Sequence, residues 1–202
     1  MARSLFWLNW HMPELTKPVF SPGDLSRTAQ PVISDDELRL RPWVATDAAV
    51  IEEAFQDPSI IQWHGRTLNT AEARAWVLHW EGRWENESGA GWAISHRGEV
   101  VGQISLRRVD LSAGSGEISY WALPNARGHG FASKALSALT VWAFVTAGFH
   151  RLELSHSVDN PASCAVARKC GYRYEGTKRQ QALHIDGWHD MHLHARLSSD
   201  TA

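Results

Sequence analysis

The sequence predicts one α/β (α+β) domain whose mixed, mostly antiparallel sheet holds a single parallel β-α-β unit. Three features lead there. The stretch GWAISHRGEVVGQISLRRV (91–109) reads as two strands about a His96-Arg97-Gly98-Glu99 turn, an antiparallel hairpin. Further on, a strand, a glycine pair, a helix and another strand follow one another, and such a crossover is expected to be right-handed and parallel. No internal repeat is visible, and 202 residues are enough to bury a normal core as one unit.

The elements follow in order. Residues 1–36 are rich in Pro, Ser and polar residues without a sustained period, and are expected to form an N-terminal extension, either an extended arm or a partly ordered cover. Leu38-Arg39-Leu40-Arg41-Pro42-Trp43 alternates apolar and charged residues, as a half-buried strand does. Thr46-Asp47 caps a helix over 47–56, ended by Asp57-Pro58, and a loop then runs through Trp63 and His64. Thr70 caps a second helix over 71–86, in which Trp76, Trp80 and Trp84 recur at i, i+4 and i+8 as a core stripe. After the hairpin come a Ser/Gly loop (110–116), a strand over Glu117–Leu123, a helix over 130–147 stopped at Gly148, and a strand over Arg151–Val158. Asn160-Pro161 joins an N-cap to a proline at the first helical position, and this short helix ends at Gly171. Strands over 172–182 and 188–197, linked by His184-Ile185-Asp186-Gly187, close a domain spanning 37–197 and leave a tail, 198–202.

A net charge of -2 gives no global basic field, so no direct nucleic-acid binding is expected. Cys164 and Cys170 lie six apart in one helix, on different faces, which argues against a mutual disulfide and for a reduced, cytoplasmic setting. The N-terminal apolar run is short and interrupted by Asn9 and His11, so no signal peptide is read. No stretch approaches the length of a membrane span. Met12, followed by Pro-Glu-Leu, is read as a candidate true start, which would make residues 1–11 an extension.

Arg127-Gly128-His129-Gly130-Phe131-Ala132 sits between a strand and a helix. Two glycines there make a plain turn, or clear room for a ligand's phosphates. The rival phosphate motifs fail: there is no G-x4-G-K-[ST], and a G-x-G-x-x-G match stops at Ser133, where the third glycine belongs. The anion chemistry stands, since glycines let backbone approach closely and a helix start offers free N–H groups and a positive dipole end. Arg127 adds a fixed charge, and pairing of the preceding strand stops at Pro124, where the sheet can part.

The pattern strand–Arg-x-x-Gly-x-Ala–helix, matched by Arg127, Gly130 and Ala132, resembles the acetyl-CoA motif of the GNAT N-acetyltransferases, and the element order resembles that fold. Three further segments, LRLRPWVATDA (38–48), GEISYWALP (116–124) and NPASCAVARKCGY (160–172), are similar to the RimJ/RimL-like branch, which includes acetylators of ribosomal-protein N-termini. The resemblance implies transfer of an acetyl group from acetyl-CoA to a primary amine by direct attack in a ternary complex. It places the CoA pyrophosphate on Arg127, Gly128, His129, Gly130, Phe131, Ala132 and Ser133, and the pantetheine arm along Trp121, Ala122 and Leu123 as an added strand. Asn160 matches an asparagine that contacts the pantetheine, and is equally a helix N-cap.

For catalysis, Glu117 stands where several family members place a general base, directly or through a water; its other reading is a solvated strand-end carboxylate. Many members carry a Tyr seven residues after the asparagine, and Ala167 replaces it here. In the RimL-like branch a Ser three residues after the asparagine is the candidate acid, which is Ser163, otherwise a routine first-turn residue. Tyr120 and Tyr172 are assigned to packing. Trp63, His64 and His184 are expected to line the acceptor site, for a protein N-terminal amine or a small amine, in a monomer or homodimer. The missing Tyr leaves open a non-catalytic acyl-CoA-binding or sensing protein on the same fold. His189, Asp190, His192 and His194 suggest a metal cluster. Alternation turns His189 away from the other three, and neither C-x-x-C nor HExxH is present, so a solvated strand face and no metal are expected.

Overall fold

The computed structural model describes residues 15–200; residues 1–14, including Met12, and 201–202 lie outside the described residues. Eight strands form one sheet in the order β1-β2-β3-β4-β5-β6-β8-β7. They are β1 (Ile33–Ser34), β2 (Leu38–Pro42), β3 (Gly89–His96), β4 (Glu99–Asp110), β5 (Ser115–Ala122), β6 (Arg151–Ser157), β7 (Arg173–His184) and β8 (Gly187–Leu197). The helices are α1 (Ala48–Ala54), α2 (Pro58–His64), α3 (Thr70–Glu85), α4 (Phe131–Val141) and α5 (Pro161–Lys169). The predicted alternation holds on β2, where Leu38 and Leu40 are buried and Arg39 is exposed.

Two departures matter for the site. Asp57-Pro58, expected to end a helix, begins one: the Asp57 carboxylate accepts from the Ile60 N–H at 3.1 Å and Pro58 takes the first turn, where a missing N–H costs nothing. Trp63 and His64 therefore stand on α2, which Gly65 ends in the left-handed region, and not in a loop. The helix from Phe131 also changes character, running as wide π turns over Trp142–Ala147 before Gly148 stops it. On α3 the capping residue is Asn69, paired reciprocally with Glu72, one position before the expected Thr70.

The sheet carries a core on each face. Leu136, Leu139 and Ala143 pack with Trp92, Ile104, Ile118, Leu152 and Leu154. On the other side Ile51, Phe55, Val77 and Trp80 pack with Trp43, Ala93 and Trp121. The α3 tryptophan stripe faces inward as predicted, with Trp80 and Trp84 buried and Trp76 packed beside them. Trp80 lies so close over β3 that a Cβ at Gly91 would come within 2.3 Å of its ring.

The described part of the N-terminal extension is a cover. Val19 and Phe20 donate N–H bonds to Ser112 and Leu111, and the Phe20 ring packs against Phe149 at 4.9 Å. Farther on, the Gly23, Leu25 and Ser26 N–H groups converge on the Glu87 carboxylate, while Trp84 and Trp92 donate their indole N–H to Thr28 and Pro31.

One strand pair is parallel. β5 pairs with β6 only from Ser115–Ile118 to Arg151–Leu154. Beyond that, β5 runs on to Ala122 against β4 alone, and β6 to Ser157 against β8 alone. The crossover and the parting of the strands agree with the sequence reading, and the gap between them is the center of the site.

Candidate active site

Two cavities open on this gap. One, of about 610 Å³, is lined by Trp121 and Ala122 of β5, by Arg127, Gly128 and Gly130–Ser133 of the following loop and helix, and by residues of α2 and α5. The other, of about 470 Å³, lies on the opposite side of the parted strands and is lined by Arg107, Arg108, Glu117, Glu153, His156 and the β7–β8 hairpin around His184. Trp63, His64, Tyr120, Asn160 and Ser163 line both. A molecule in the first cavity and one in the second would meet at these side chains.

The larger cavity has the build of an anion cradle. Gly128 and Gly130 adopt φ of 80° and 78°, and a Cβ built on either would meet no protein atom within 4 Å. Packing does not demand glycine there; the left-handed backbone favours it, and the open space in front leaves room for a ligand. Gly130 is the N-cap of α4 and supplies no side-chain cap, so the first N–H groups of that helix are left for a ligand. Arg127 lines the cavity, but its guanidinium is already engaged. Its guanidinium binds Asp57 at 2.6 Å and the Ala122 carbonyl at 3.2 Å, tying the loop to the start of α2. His129 is bonded to the Arg127 carbonyl and stacks on Phe131, and Leu123 donates its N–H to Val101. Neither lines the cavity. Asn160 caps α5, its side chain accepting from the Ser163 N–H at 3.0 Å, and it also lines both cavities.

In the smaller cavity, Glu117 has one carboxylate oxygen on Arg107 at 2.9 Å and the other on Arg108 at 2.7 Å. The solvated strand-end reading fails, since its side chain is only 14% exposed. Burial, with Arg107, Arg66 and His184 nearby, brings His64 down to about 4, so its imidazole is neutral at pH 7. Trp63 meets His184 and His189 edge to face at 5.6 and 6.2 Å. His184 hydrogen-bonds the Gln62 carbonyl at 3.2 Å, which holds the β7–β8 hairpin to α2. His189 is enclosed by Ser157 at 2.6 Å and Asp186 at 2.9 Å. Between the cavities, the Tyr120 hydroxyl meets the Ser163 hydroxyl at 2.9 Å, and burial pushes its phenol well above the usual tyrosine range.

The model of the acetyltransferase (GNAT) domain matches residues 37–173. The chain belongs to the GNAT family. It is an acetyl-CoA-dependent N-acetyltransferase by that membership. It is 28% identical to the ribosomal-protein-serine acetyltransferase of Escherichia coli (strain K12) over 147 residues, covering 73% of this chain and 79% of that one. Among solved structures, it is similar to RimL, a ribosomal L7/L12 α-N-protein acetyltransferase in complex with coenzyme A, with a TM-score of 0.78 and 22% identity over 84% of this chain and 100% of that one. It is also similar to the microcin C7 self-immunity acetyltransferase MccE in complex with acetyl-CoA and AMP, with a TM-score of 0.74 and 20% identity over 81% and 93% of the two chains.

The GNAT fold accounts for the parted strands, and the residues present fit acetyl-CoA: an open glycine cradle, an uncapped helix start and a gap leading to a second cavity. Of the residues singled out in the sequence, Trp121, Ala122, Arg127, Gly128, Gly130–Ser133, Asn160, Ser163, Trp63 and His64 share the larger cavity, whereas Glu117 and His184 are confined to the smaller one. Tyr120, expected to pack, stands in the wall between the two cavities. Its signal in the sequence was a tyrosine on the strand that precedes the cradle. Nothing local said that its hydroxyl would reach α5.

Proposed function

We propose that this enzyme acetylates the α-amino group of a protein or peptide N-terminus. The observation that carries the reading is the meeting of the two cavities at Tyr120 and Ser163, which supplies separate entries for donor and amine. The similarity to a ribosomal-protein-serine acetyltransferase supports the acceptor class. So does the chemistry, because an α-amine titrates near 7.7–8.0 and keeps a useful neutral fraction at pH 7, where a lysine-type amine near 10.4 would need far more help.

Acetyl-CoA supplies the acyl group as a thioester. The Gly128–Ser133 backbone and the start of α4 would hold its phosphates, Trp121 and Ala122 its pantetheine arm, and Asn160 the region near the sulfur. Arg127, through Asp57, keeps that loop against α2. Trp63 and His184 form the rim by which the amine enters, and a neutral His64 lets it approach without an added positive charge. As the C–N bond forms and the C–S bond breaks, Glu117 takes the amine proton through a water. Both its oxygens are held by guanidinium groups, so the exposed Arg108 must swing aside. Tyr120, too weak an acid to surrender its proton outright to a thiolate, donates a hydrogen bond to the departing sulfur, and Ser163 orients it.

A thiol-release assay against N-terminal peptides, polyamines and aminoglycosides tests this. Turnover with N-terminal peptides is expected. Turnover confined to the small amines would move the acceptor to that class. Thermal stabilisation by acetyl-CoA without thiol release from any amine would return the protein to a sensing role.

A further inference from the structure

We propose that His156, Cys164, His192 and His194 form a binding site for a zinc-class divalent metal ion, which pins α5 to β6 and β8. The four residues come from three elements: His156 from β6, Cys164 from α5, and His192 and His194 from β8. One ligand atom from each lies within 4.8 Å of the others. A tetrahedral zinc site with Zn–N of about 2.0–2.1 Å and Zn–S of about 2.3 Å spaces its ligand atoms about 3.4 Å apart, so side-chain rotation of roughly an ångström closes the shell.

The hydrogen bonding points the same way. His156 Nδ1 bonds the Ser157 carbonyl at 2.7 Å, and His194 Nδ1 bonds the Tyr172 carbonyl at 3.3 Å. A carbonyl only accepts, so both Nδ1 atoms carry the proton and both Nε2 atoms present a lone pair. Those two Nε2 atoms, and His192 Nδ1, are buried without any partner, although His156 is 4% and His194 0% exposed. Three buried, unsatisfied nitrogens in one cluster are costly, and a cation satisfies all three together. An imidazole that donates its far N–H to a backbone carbonyl is also the arrangement that orients a metal-bound histidine. Three imidazoles and one thiolate suit zinc better than magnesium or calcium, which prefer oxygen.

The expected solvated strand face gives way at three positions. His194 is fully enclosed, Asp190 is withdrawn to accept from the Gln180 N–H, and His189 is held by Ser157 and Asp186. His156 and Cys164 complete the cluster from distant parts of the chain. Its place gives it a purpose. Cys164 follows Ser163 directly, and the ion would fix the first turn of α5, where Ser163 meets Tyr120.

The experiment uses the full-length chain without a histidine tag. Elemental analysis after purification in chelator-free buffer is expected to show about one zinc per chain. Cobalt(II) added to metal-stripped protein should give the visible bands of a tetrahedral site and a near-ultraviolet thiolate charge-transfer band. Cys164→Ser should abolish that band and weaken metal binding at least 10-fold, while His150→Ala, an exposed histidine outside the cluster, leaves both unchanged. Zinc should also protect Cys164 of the unmutated chain from alkylation, a readout that holds even if the serine variant misfolds. Absence of stoichiometric metal together with no cobalt bands overturns the proposal, as does a thiolate band that survives Cys164→Ser.

Discussion

Tyr120 and Glu117 divide the proton chemistry between them, and each can be isolated. Tyr120→Phe removes only the hydroxyl that meets Ser163 and leaves the ring that packs against the core. It should lower kcat about 10²-fold, as loss of a positioned donor does, while acetyl-CoA affinity measured by calorimetry stays within about twofold. An equal loss of affinity would make Tyr120 a wall residue. Glu117→Gln should lower kcat/KM about 10²-fold at pH 7. The deficit should shrink toward pH 9, because an α-amine that titrates near 8 then arrives without its proton. A deficit independent of pH would mean that Glu117 acts only by holding Arg107 and Arg108. Glu117 was legible in the sequence by its place on a strand, but its two guanidinium partners were not. Arg107 and Arg108 sit on β4, and only the β4–β5 register sets Arg107 opposite Glu117.

Elements were legible where one local signal decided them. The β3–β4 hairpin announced its turn, α5 its Asn-Pro start, and the cradle its glycines. α2 was lost because Asp-Pro signals both the end of one helix and the cap of the next, and seven residues are too few to show a period. The four-residue His/Cys cluster was half-visible on β8, but strand alternation alone cannot bring in β6 and α5. For the cradle, the geometry separates folding from binding. Gly130→Val places a β-branched residue at φ 78° and its side chain in open space. The strain should cost about 1–2 kcal/mol of stability, a fall of several degrees in Tm. Thermal scans with and without acetyl-CoA should show in addition that the ligand-induced rise disappears. A rise of wild-type size in the variant would remove the loop from the donor site.

Residues outside the 37–173 match also hold the fold together, and Glu87 links the two parts. Burial opposes its charge, but the Gly23, Leu25 and Ser26 N–H groups, at 2.5, 2.7 and 3.0 Å, overcome that and hold its carboxyl below the usual range. A native value below the unfolded one, about 4.3, means that the ionised carboxylate stabilises the fold above that pH. The contribution is lost as pH falls through the lower native value, because the unfolded chain takes up the proton first. Glu87→Gln keeps the shape and removes the charge. It should lower unfolding stability by about 1.5–3 kcal/mol at pH 7, the range for hydrogen bonds to a charged group. Urea titrations of both proteins should then converge between pH 4.5 and 3, since the wild type loses in that interval what the variant never had. The anchored segment lies between the Phe20–Phe149 contact and strand β1. Limited proteolysis should therefore cut the variant between residues 15 and 32 under conditions that leave the wild type intact. A variant with unchanged stability and unchanged cleavage would show that packing of Phe20, Leu25 and Ile33 alone seats the cover.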